Sequence, residues 1–145
     1  AGGAVYSPAI TDFIFMVEEI GQMYITGPSV VEAATGEIVT HEQLGGASTH
    51  ATTSGVAHFA YSSEEECLEQ VRRLLSFLPQ NNMDDVPNNG AIDDINRMDP
   101  ELQHIVPDDH VKPYNMKQII ARIIDNGDFM EIQEKKPFLL MKGWR

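Results

Sequence analysis

The chain has 145 residues, a length that fits one domain or a part of a larger one. Its 10 lysines and arginines stand against 22 aspartates and glutamates, and the formal net charge of −12 argues against binding to nucleic acid or to an anionic membrane surface. Cys67 is the only cysteine, which excludes a disulfide framework and a cysteine-based zinc pattern, and no apolar run reaches the length of a membrane span.

The first part of the chain alternates short helical and extended patterns. The opening AGGAVYSPAITDFIFMV predicts a short helix begun by glycines and then a buried strand over residues 13–17. GQMYITG is a second β-prone run, and SVVEAATG predicts a helix with Pro28 in its first turn and Gly36 at its end. EIVTHEQLGG adds an extended piece, a turn and a short helix that ends at Gly45. This alternation predicts an α/β domain.

The next stretch, LGGASTHATTSGVAH, shows neither a helical period nor clean alternation, and it raises the question of a metal site with His41, His50 and His58. No two of these histidines have the i, i+4 spacing of paired ligands on a helix, and no cysteine supports them. We therefore expect no metal here, and imidazoles that hydrogen-bond to the backbone. The glycines are expected to allow close backbone approach, and the hydroxyls to satisfy buried polar groups.

The strongest helical pattern lies in SSEEECLEQVRRLLSFLP. Ser63 and Glu66 have the spacing of a capping box, three glutamates suit the first turn, and Pro79 ends the pattern. Apolar residues recur at helical spacing and predict one buried face, formed by Leu68, Val71, Leu74, Leu75 and Leu78.

The second half of the chain begins with a polar connection. Residues 80–113 are rich in Pro, Asn and Asp and predict a long surface segment in which Asp93 and Asp94 are solvated. A second amphipathic helix is predicted in YNMKQIIARIIDNG and ends at Asn126-Gly127. The tail FMEIQEKKPFLLMKGWR has no period that predicts an element.

Few side chains qualify as catalysts. There is no GxSxG motif, and Cys67 lies beside Glu65 and Glu66, which disfavour a thiolate, so a structural role is expected for it. Gly2 and Gly3 precede a helical turn, where backbone N–H groups can approach a ligand and bind an oxyanion. The residues alone thus predict an α/β domain with glycine-rich segments that allow close approach of the backbone, and with no side-chain catalyst.

Several long motifs, in order, resemble one family. The stretches AGGAVYSPAITDFIFMV, ITGPSVVEAATGEIVTHEQLGGASTHATTSGVAH, LLSFLP and ELQHIVPDDHVKPYNMKQIIARIIDNGDFMEI are similar to the carboxyltransferase (β) subunit of biotin-dependent acyl-CoA carboxylases. Propionyl-CoA carboxylase, methylmalonyl-CoA decarboxylase and transcarboxylase share this pattern, and the likeness extends to about Gln133.

This resemblance implies a fold and its division into domains. The fold is the crotonase-like (ClpP/crotonase) carboxyltransferase fold, an α/β architecture present here in part. Residues 1–79 correspond to the C-terminal half of the N-terminal carboxyltransferase domain and 80–113 to a connecting segment. Residues 114–145 correspond to the start of the C-terminal domain, with a divergent tail from about residue 134.

The resemblance also implies an activity. A carboxyl group moves between carboxybiotin and a short acyl-CoA of the propionyl-CoA or methylmalonyl-CoA type, and backbone amides stabilise the oxyanions. Here the Gly2 and Gly3 N–H groups correspond to the hole for the acyl-CoA carbonyl. The residues expected to contact the substrate are Ala4, Tyr6, Gly27, Pro28, Gly45 and Gly46.

The partners follow from the same resemblance. Biotin is expected on a biotin carboxyl carrier, together with a biotin carboxylase subunit, and the intact family forms a hexamer of three dimers. No metal, nucleic acid or membrane span is expected. The expected location is the cytoplasm of a bacterium, or the mitochondrial matrix of a eukaryote.

The chain also departs from the family pattern. An upstream SGGAR-type segment is absent and KKPFLLMKGWR does not match, which suggests a truncated, frame-shifted or excised piece. Two functions stay open: a carboxyltransferase part that works only with its remaining parts, or a non-catalytic remnant that self-associates. A crotonase-type hydratase ranks below both, because the chain shows no glutamates in the arrangement that hydration needs. The sequence distinguishes neither the acyl-CoA nor carboxylase from decarboxylase or transcarboxylase.

Overall fold

The computed structural model describes residues 1–88, 90 and 92–136 of the chain. It divides into two compact units, one formed by residues 1–77 with residues 131–136, the other by residues 78–130. The first boundary lies close to the end of the predicted 1–79 segment. How these parts correspond to the carboxyltransferase domains stays a prediction, and most of the tail, residues 137–145, lies outside the described residues.

Short helices and a parallel strand pair make up the first unit. In chain order it contains a 3-10 helix (Gly2–Val5), α1 (Tyr6–Ala9), β1 (Phe15–Val17), α2 (Pro28–Thr35), α3 (His41–Gly45), α4 (Ala47–Thr49), a π-helix (His50–Ser54), β2 (Phe59–Tyr61) and α5 (Glu64–Ser76).

The strands β1 and β2 pair in parallel, with Phe15 opposite Phe59 and Val17 opposite Tyr61. The rings of Phe15 and Phe59 stack with centroids 4.4 Å apart, a cross-strand aromatic pair that stabilises this register. The core combines one residue of each strand with small and medium side chains from the neighbouring segments: Ile14, Met16, Ala47, Ala51, Ala57 and Ala60.

The later chain returns to this unit through residues 131–136. The backbone N–H of Gln133 donates to the His58 carbonyl at 3.0 Å, and its side-chain Nε2 donates to the Gly55 carbonyl at 2.7 Å. Lys135 forms an ion pair with Glu18 at 2.6 Å, just beyond the end of β1. Backbone and side-chain bonds together therefore attach this segment to the strand unit.

Four predicted helix ends are confirmed. Pro28 is the first residue of α2, and Gly36 ends it in the left-handed conformation at φ 77°. The helix α3 ends at Gly45 as predicted, and a reciprocal capping box of Thr40 and Gln43, which was not predicted, begins it. The Ser63 hydroxyl accepts from the Glu66 N–H at the start of α5, although the Glu66 carboxylate bonds to Ser62 instead of closing the box.

Two expectations for the first unit are wrong. The run GQMYITG is not a strand: Gln22 forms only an isolated antiparallel bridge to Gly46. The stretch after Gly46 is helical, because α4 continues directly into the π-helix His50–Ser54. Its buried face consists of alanines, and its hydroxyls bond to backbone carbonyls, as in the 2.8 Å bond from Thr52 to Ser48. Neither the buried alanines nor these hydroxyls produce the periodic pattern of large apolar residues that predicts a helix.

The predicted buried face of α5 is only partly correct. Cys67 and Leu74 are buried, whereas Leu68 and Leu75 are 56% and 58% exposed. One side of the helix packs on β1 and β2, and the leucines of the adjacent stripe point away from this contact.

The second unit contains the predicted surface segment and a helix. Its elements are α6 (Leu102–Ile105), α7 (Met116–Ile123) and a 3-10 turn (Asp125–Gly127). Asn126 and Gly127 both have positive φ and follow the helix end, as predicted. Asp93 is not simply solvated: it pairs with Arg97 at 2.8 Å, and Arg97 also donates to the Arg122 carbonyl at the end of α7.

Candidate functional site

The glycine pair at the start of the chain forms an open helical turn. Gly2 has φ 66°, a left-handed conformation that favours glycine, and begins the 3-10 helix that leads into α1. A Cβ atom added to Gly2 or Gly3 meets no heavy atom within 4 Å. The N–H groups of a first helical turn have no acceptor within the helix. The turn can therefore offer an N–H donor on a face that no heavy atom obstructs at either glycine.

The two glycine amides differ in their surroundings. The Gly2 N–H donates to the Ile25 carbonyl at 2.9 Å, so this donor is already engaged. Gly3 follows it in the first turn, where helix geometry supplies no acceptor for its N–H. The bond to Ile25 fixes the left-handed residue that aims the following amide.

Ile25 belongs to segment 22–25, which hydrogen bonds hold to the helices behind it. The Met23 N–H donates to the Gly45 carbonyl at 2.8 Å, and the His50 Nε2 lies 2.6 Å from the Met23 carbonyl oxygen. The Tyr24 hydroxyl lies 2.5 Å from the Nδ1 of His41. Segment 22–25 thus links the glycine turn to α3 and to the π-helix.

Gly45 and Gly46 make this close approach possible. A Cβ atom on Gly45 would overlap the Met23 carbonyl oxygen, and one on Gly46 would overlap the carboxylate of Glu42. The expected packing role of these glycines is confirmed, while their contribution to substrate binding stays a prediction. The Thr49 hydroxyl supports the same turn by donating to the Glu42 carbonyl at 2.9 Å.

The other predicted contact residues lie in two places, one exposed and one half-buried. Ala4 and Tyr6 follow the glycine pair, and Tyr6 is 56% exposed at the start of α1. Gly27 and Pro28 begin α2, two residues beyond Ile25, and the Gly27 carbonyl accepts the Val30 N–H at 3.1 Å. Because the Gly2 N–H bonds to the Ile25 carbonyl, the glycine turn lies close to the chain that leads into α2.

The three histidines serve as hydrogen-bonding groups. The Nδ1 of His58 accepts the Ile14 N–H at 3.0 Å, which places its ring proton on Nε2. His50 contacts the Met23 carbonyl through Nε2, so the expected backbone bonding is confirmed for both. His41 differs, because its Nδ1 contacts the Tyr24 hydroxyl, a side chain. Sequence reasoning missed these partners since backbone carbonyls and amides leave no mark in the residue pattern.

Cys67 has the structural role that was predicted. It is buried in α5, and burial raises the pKa of its thiol, with further contributions from the Glu66 and Glu64 carboxylates. Burial likewise raises the pKa of Tyr61, and the neighbouring Cys67 and Glu66 act in the same direction. Both groups therefore favour their protonated forms, which makes neither a nucleophile at neutral pH.

A cleft of about 360 Å³ lies along β2 in the first unit. Its lining includes His58, Tyr61, Glu66, Gln133 and Lys135, and none of the predicted contact residues. The glycine turn and this cleft are therefore separate features.

Residues 1–88, 90 and 92–136 show neither a metal-binding cluster nor a membrane-spanning helix. In them, no group of three or more His, Cys, Asp and Glu side chains could hold a metal ion. No helix in the same residues is long and apolar enough to cross a bilayer.

Comparison with known proteins identifies the family. The carboxyl transferase domain family matches residues 1–136. The chain belongs to this family. Its fold is accordingly the crotonase-like carboxyltransferase fold, of which the chain forms a part.

Curated members of the family are similar over nearly the whole chain. Methylmalonyl-CoA decarboxylase subunit alpha of Propionigenium modestum is 56% identical over 133 residues, which are 92% of this chain and 26% of that protein. The propionyl-CoA carboxylase carboxyltransferase subunit of Haloferax mediterranei is 53% identical, with the same two coverages. A biotin-dependent acetyl-/propionyl-coenzyme A carboxylase beta5 subunit of Mycobacterium leprae is 46% identical over 140 residues, again 92% and 26%.

A solved carboxyltransferase superposes closely on the chain. The crystal structure of transcarboxylase 12S, described as a hexamer assembly with hydrolysed methylmalonyl-coenzyme A bound, matches with a TM-score of 0.88 and 42% identity. The match covers 93% of this chain and 26% of that one. The chain thus spans about a quarter of the length of the relatives it matches.

Proposed function

We propose that the chain is part of an acyl-CoA carboxyltransferase that moves a carboxyl group between carboxybiotin and a short acyl-CoA. The observation that carries this proposal is the family match over residues 1–136 together with the close superposition on transcarboxylase 12S. The names of the relatives support propionyl-CoA or methylmalonyl-CoA as the substrate type. The open glycine turn provides the kind of donor that this chemistry needs.

Within this proposal the Gly3 N–H donates to the thioester carbonyl oxygen of the acyl-CoA. Negative charge develops on that oxygen when the α-carbon loses a proton or a carboxyl group, so a fixed donor stabilises the enolate more than the ground state. Gly2 holds the turn through its bond to Ile25. Loss of one such donor typically lowers kcat by about 100-fold to 1,000-fold.

Biotin enters the proposal through a partner. Carboxybiotin on a biotin carboxyl carrier would supply the carboxyl group, and we assign no residue of this chain to it. The biotin-dependent relative in Mycobacterium leprae supports this cofactor. A biotin carboxylase subunit, assembly into a hexamer like that described for transcarboxylase 12S, and a cytoplasmic location complete the proposal.

A segment exchange tests the function. The matching 133 residues of methylmalonyl-CoA decarboxylase subunit alpha from Propionigenium modestum are replaced by those of this chain, and decarboxylation of methylmalonyl-CoA is measured in the reassembled enzyme. We expect activity, together with an approximately 100-fold or larger loss for Gly3→Pro, which removes the N–H. Gly3→Ala is the matched control because it keeps the N–H and its Cβ has free space.

Two results would contradict the proposal. An exchanged subunit that assembles with unchanged thermal stability but has no activity would show that this segment does not serve carboxyl transfer. Full activity of Gly3→Pro would show that the Gly3 N–H is not the donor, while the family function would stand.

A further inference from the structure

His50 lies in the helical stretch 47–54, and the proposed function assigns it no role. Its ring is bonded at both nitrogens, and one of these bonds reaches the Met23 carbonyl in segment 22–25, the segment whose Ile25 carbonyl accepts the Gly2 N–H. We propose that His50 is a positioning residue for the acyl-CoA oxyanion hole, acting through Met23 and Ile25 on Gly2. This inference rests on the proposed function, which supplies the role of the glycine turn.

Hydrogen bonds at both nitrogens fix the imidazole of His50. The Nε2 of His50 lies 2.6 Å from the Met23 carbonyl oxygen, and since a carbonyl can only accept, Nε2 carries the proton. The Nδ1 lies 2.8 Å from the Ser54 hydroxyl, one turn along the π-helix. The Ser54 oxygen also accepts the Val56 N–H at 3.3 Å. The ring orientation is therefore fixed from both ends.

The residue that His50 binds, Met23, is fixed by two hydrogen bonds. Met23 is held at its N–H by the Gly45 carbonyl at 2.8 Å and at its C=O by His50. The side chain of Ile25 is 61% exposed, so apolar packing of this residue contributes little to its position. The placement of the Ile25 carbonyl then depends on the two bonds that fix Met23, two residues earlier in the chain.

Ile25 is connected through Gly2 to the proposed donor, the Gly3 N–H. The Ile25 carbonyl accepts the Gly2 N–H at 2.9 Å, and Gly2 stands in the left-handed conformation that begins the turn carrying Gly3. Losing the His50 donor loosens segment 22–25, and the Gly3 N–H then spends less time in the geometry that a transition state requires.

Two substitutions separate the bonds made by His50. His50→Gln keeps an N–H donor near the position of Nε2 and preserves the bond to Met23. His50→Asn places its amide near the position of Nδ1, so it retains only the contact with Ser54. Both replacements are neutral amides, so a difference between the two variants reports the loss of the bond to Met23.

The first measurement is amide hydrogen exchange of Gly2 and Met23 by NMR in the 145-residue chain, which requires no activity. We expect exchange at Gly2 to accelerate about tenfold in His50→Asn and to stay within about twofold of the unsubstituted chain in His50→Gln. The second measurement is kcat and KM in the segment-exchanged decarboxylase. We expect kcat to fall about tenfold in His50→Asn with KM changed less than about threefold, and His50→Gln to restore most of kcat.

Each outcome decides the inference. Unchanged Gly2 exchange in His50→Asn overturns it, whatever the activity. Accelerated exchange with an unchanged kcat overturns the positioning role, and so does an equal loss of kcat in both variants, since His50→Gln keeps the donor. If the unsubstituted exchanged enzyme is inactive, the proposed function fails, while the exchange comparison still decides whether His50 holds Gly2.

Discussion

At the scale of single residues, close backbone packing determines what the glycines do. Gly45 lies against the Met23 carbonyl, whereas Gly3 faces open space, although both belong to glycine pairs in the sequence. A pair of glycines therefore has two different meanings in the same chain. One pair permits contact within the protein, and in the other the Gly3 N–H stays accessible from outside while the Gly2 N–H bonds to Ile25.

Gly45→Ala tests this difference. The added methyl group overlaps the Met23 carbonyl, so the backbone must shift, and we expect unfolding of the first unit to become easier by about 1 to 3 kcal/mol. Thermal or urea unfolding measures the loss. Gly3→Ala is the control and should change stability by less than about 0.5 kcal/mol. Equal losses in the two variants would refute the packing role of Gly45.

A second residue-scale prediction concerns the pH dependence of the second unit. The 2.7 Å bond from Arg122 lowers the pKa of Asp99 in the folded chain, and a backbone bond from Glu101 adds to the effect. A carboxyl group with a depressed folded pKa stabilises the fold above its ordinary pKa of about 3.9 and loses that contribution as pH falls through the folded value. We therefore expect the second unit to lose stability in that acidic range.

Unfolding followed by the NMR signals of α7 at a series of pH values measures this contribution. Asp99→Asn cannot titrate, so its acid loss should be smaller than that of the unsubstituted chain, while its stability at neutral pH is lower. An identical acid loss in both proteins would show that the Asp99–Arg122 pair does not contribute.

At the scale of elements, end signals were more informative than apolar periods. Capping and glycine signals correctly located the ends of α2, α3 and α5, because each depends on contacts between residues a few positions apart. The apolar period of α5 predicted a single buried face and was wrong for Leu68 and Leu75, because burial depends on what lies opposite the helix. The run GQMYITG failed as a strand for a related reason, since only Gln22 meets a bridging partner.

The N-terminal cap of α5, formed by Ser63, is expected to stabilise the first unit. Ser63→Ala removes the hydroxyl that accepts the Glu66 N–H at 3.2 Å, and we expect a loss of about 1 kcal/mol in the free energy of unfolding of the first unit. Ser63→Asp retains an acceptor and should keep nearly all of the stability. Urea titration followed by circular dichroism checks both. A loss in Ser63→Asp as large as that in Ser63→Ala would contradict the capping role.

At the scale of the whole molecule, the exposed leucines of α5 are the prominent feature. Leu68 and Leu75 are seven residues apart on one stripe, more than half exposed, and lie away from the sheet. The chain spans about a quarter of the length of its relatives, so we expect further polypeptide to cover this stripe in a longer protein. On its own, the chain is expected to cover it by self-association.

Light scattering of the purified chain tests this expectation. Leu68→Ser combined with Leu75→Ser should lower the average mass at high concentration, because covering the exposed parts of two leucines contributes about 2 kcal/mol. Ile95→Ser, a substitution of a 97% exposed side chain in the second unit, is the matched control and should leave association unchanged. A monomer at all concentrations would refute the role of the stripe.

The sequence by itself determined the family, the α/β class, the main helices and the glycine turn. These depend on local signals, such as caps, glycines and ordered motifs, that are read along the chain. Only the tertiary structure decided which side of α5 is buried, that residues 47–54 are helical, and that His50 binds segment 22–25. Those features depend on backbone groups brought together from distant positions, and every residue type carries the same carbonyl and, proline excepted, the same N–H.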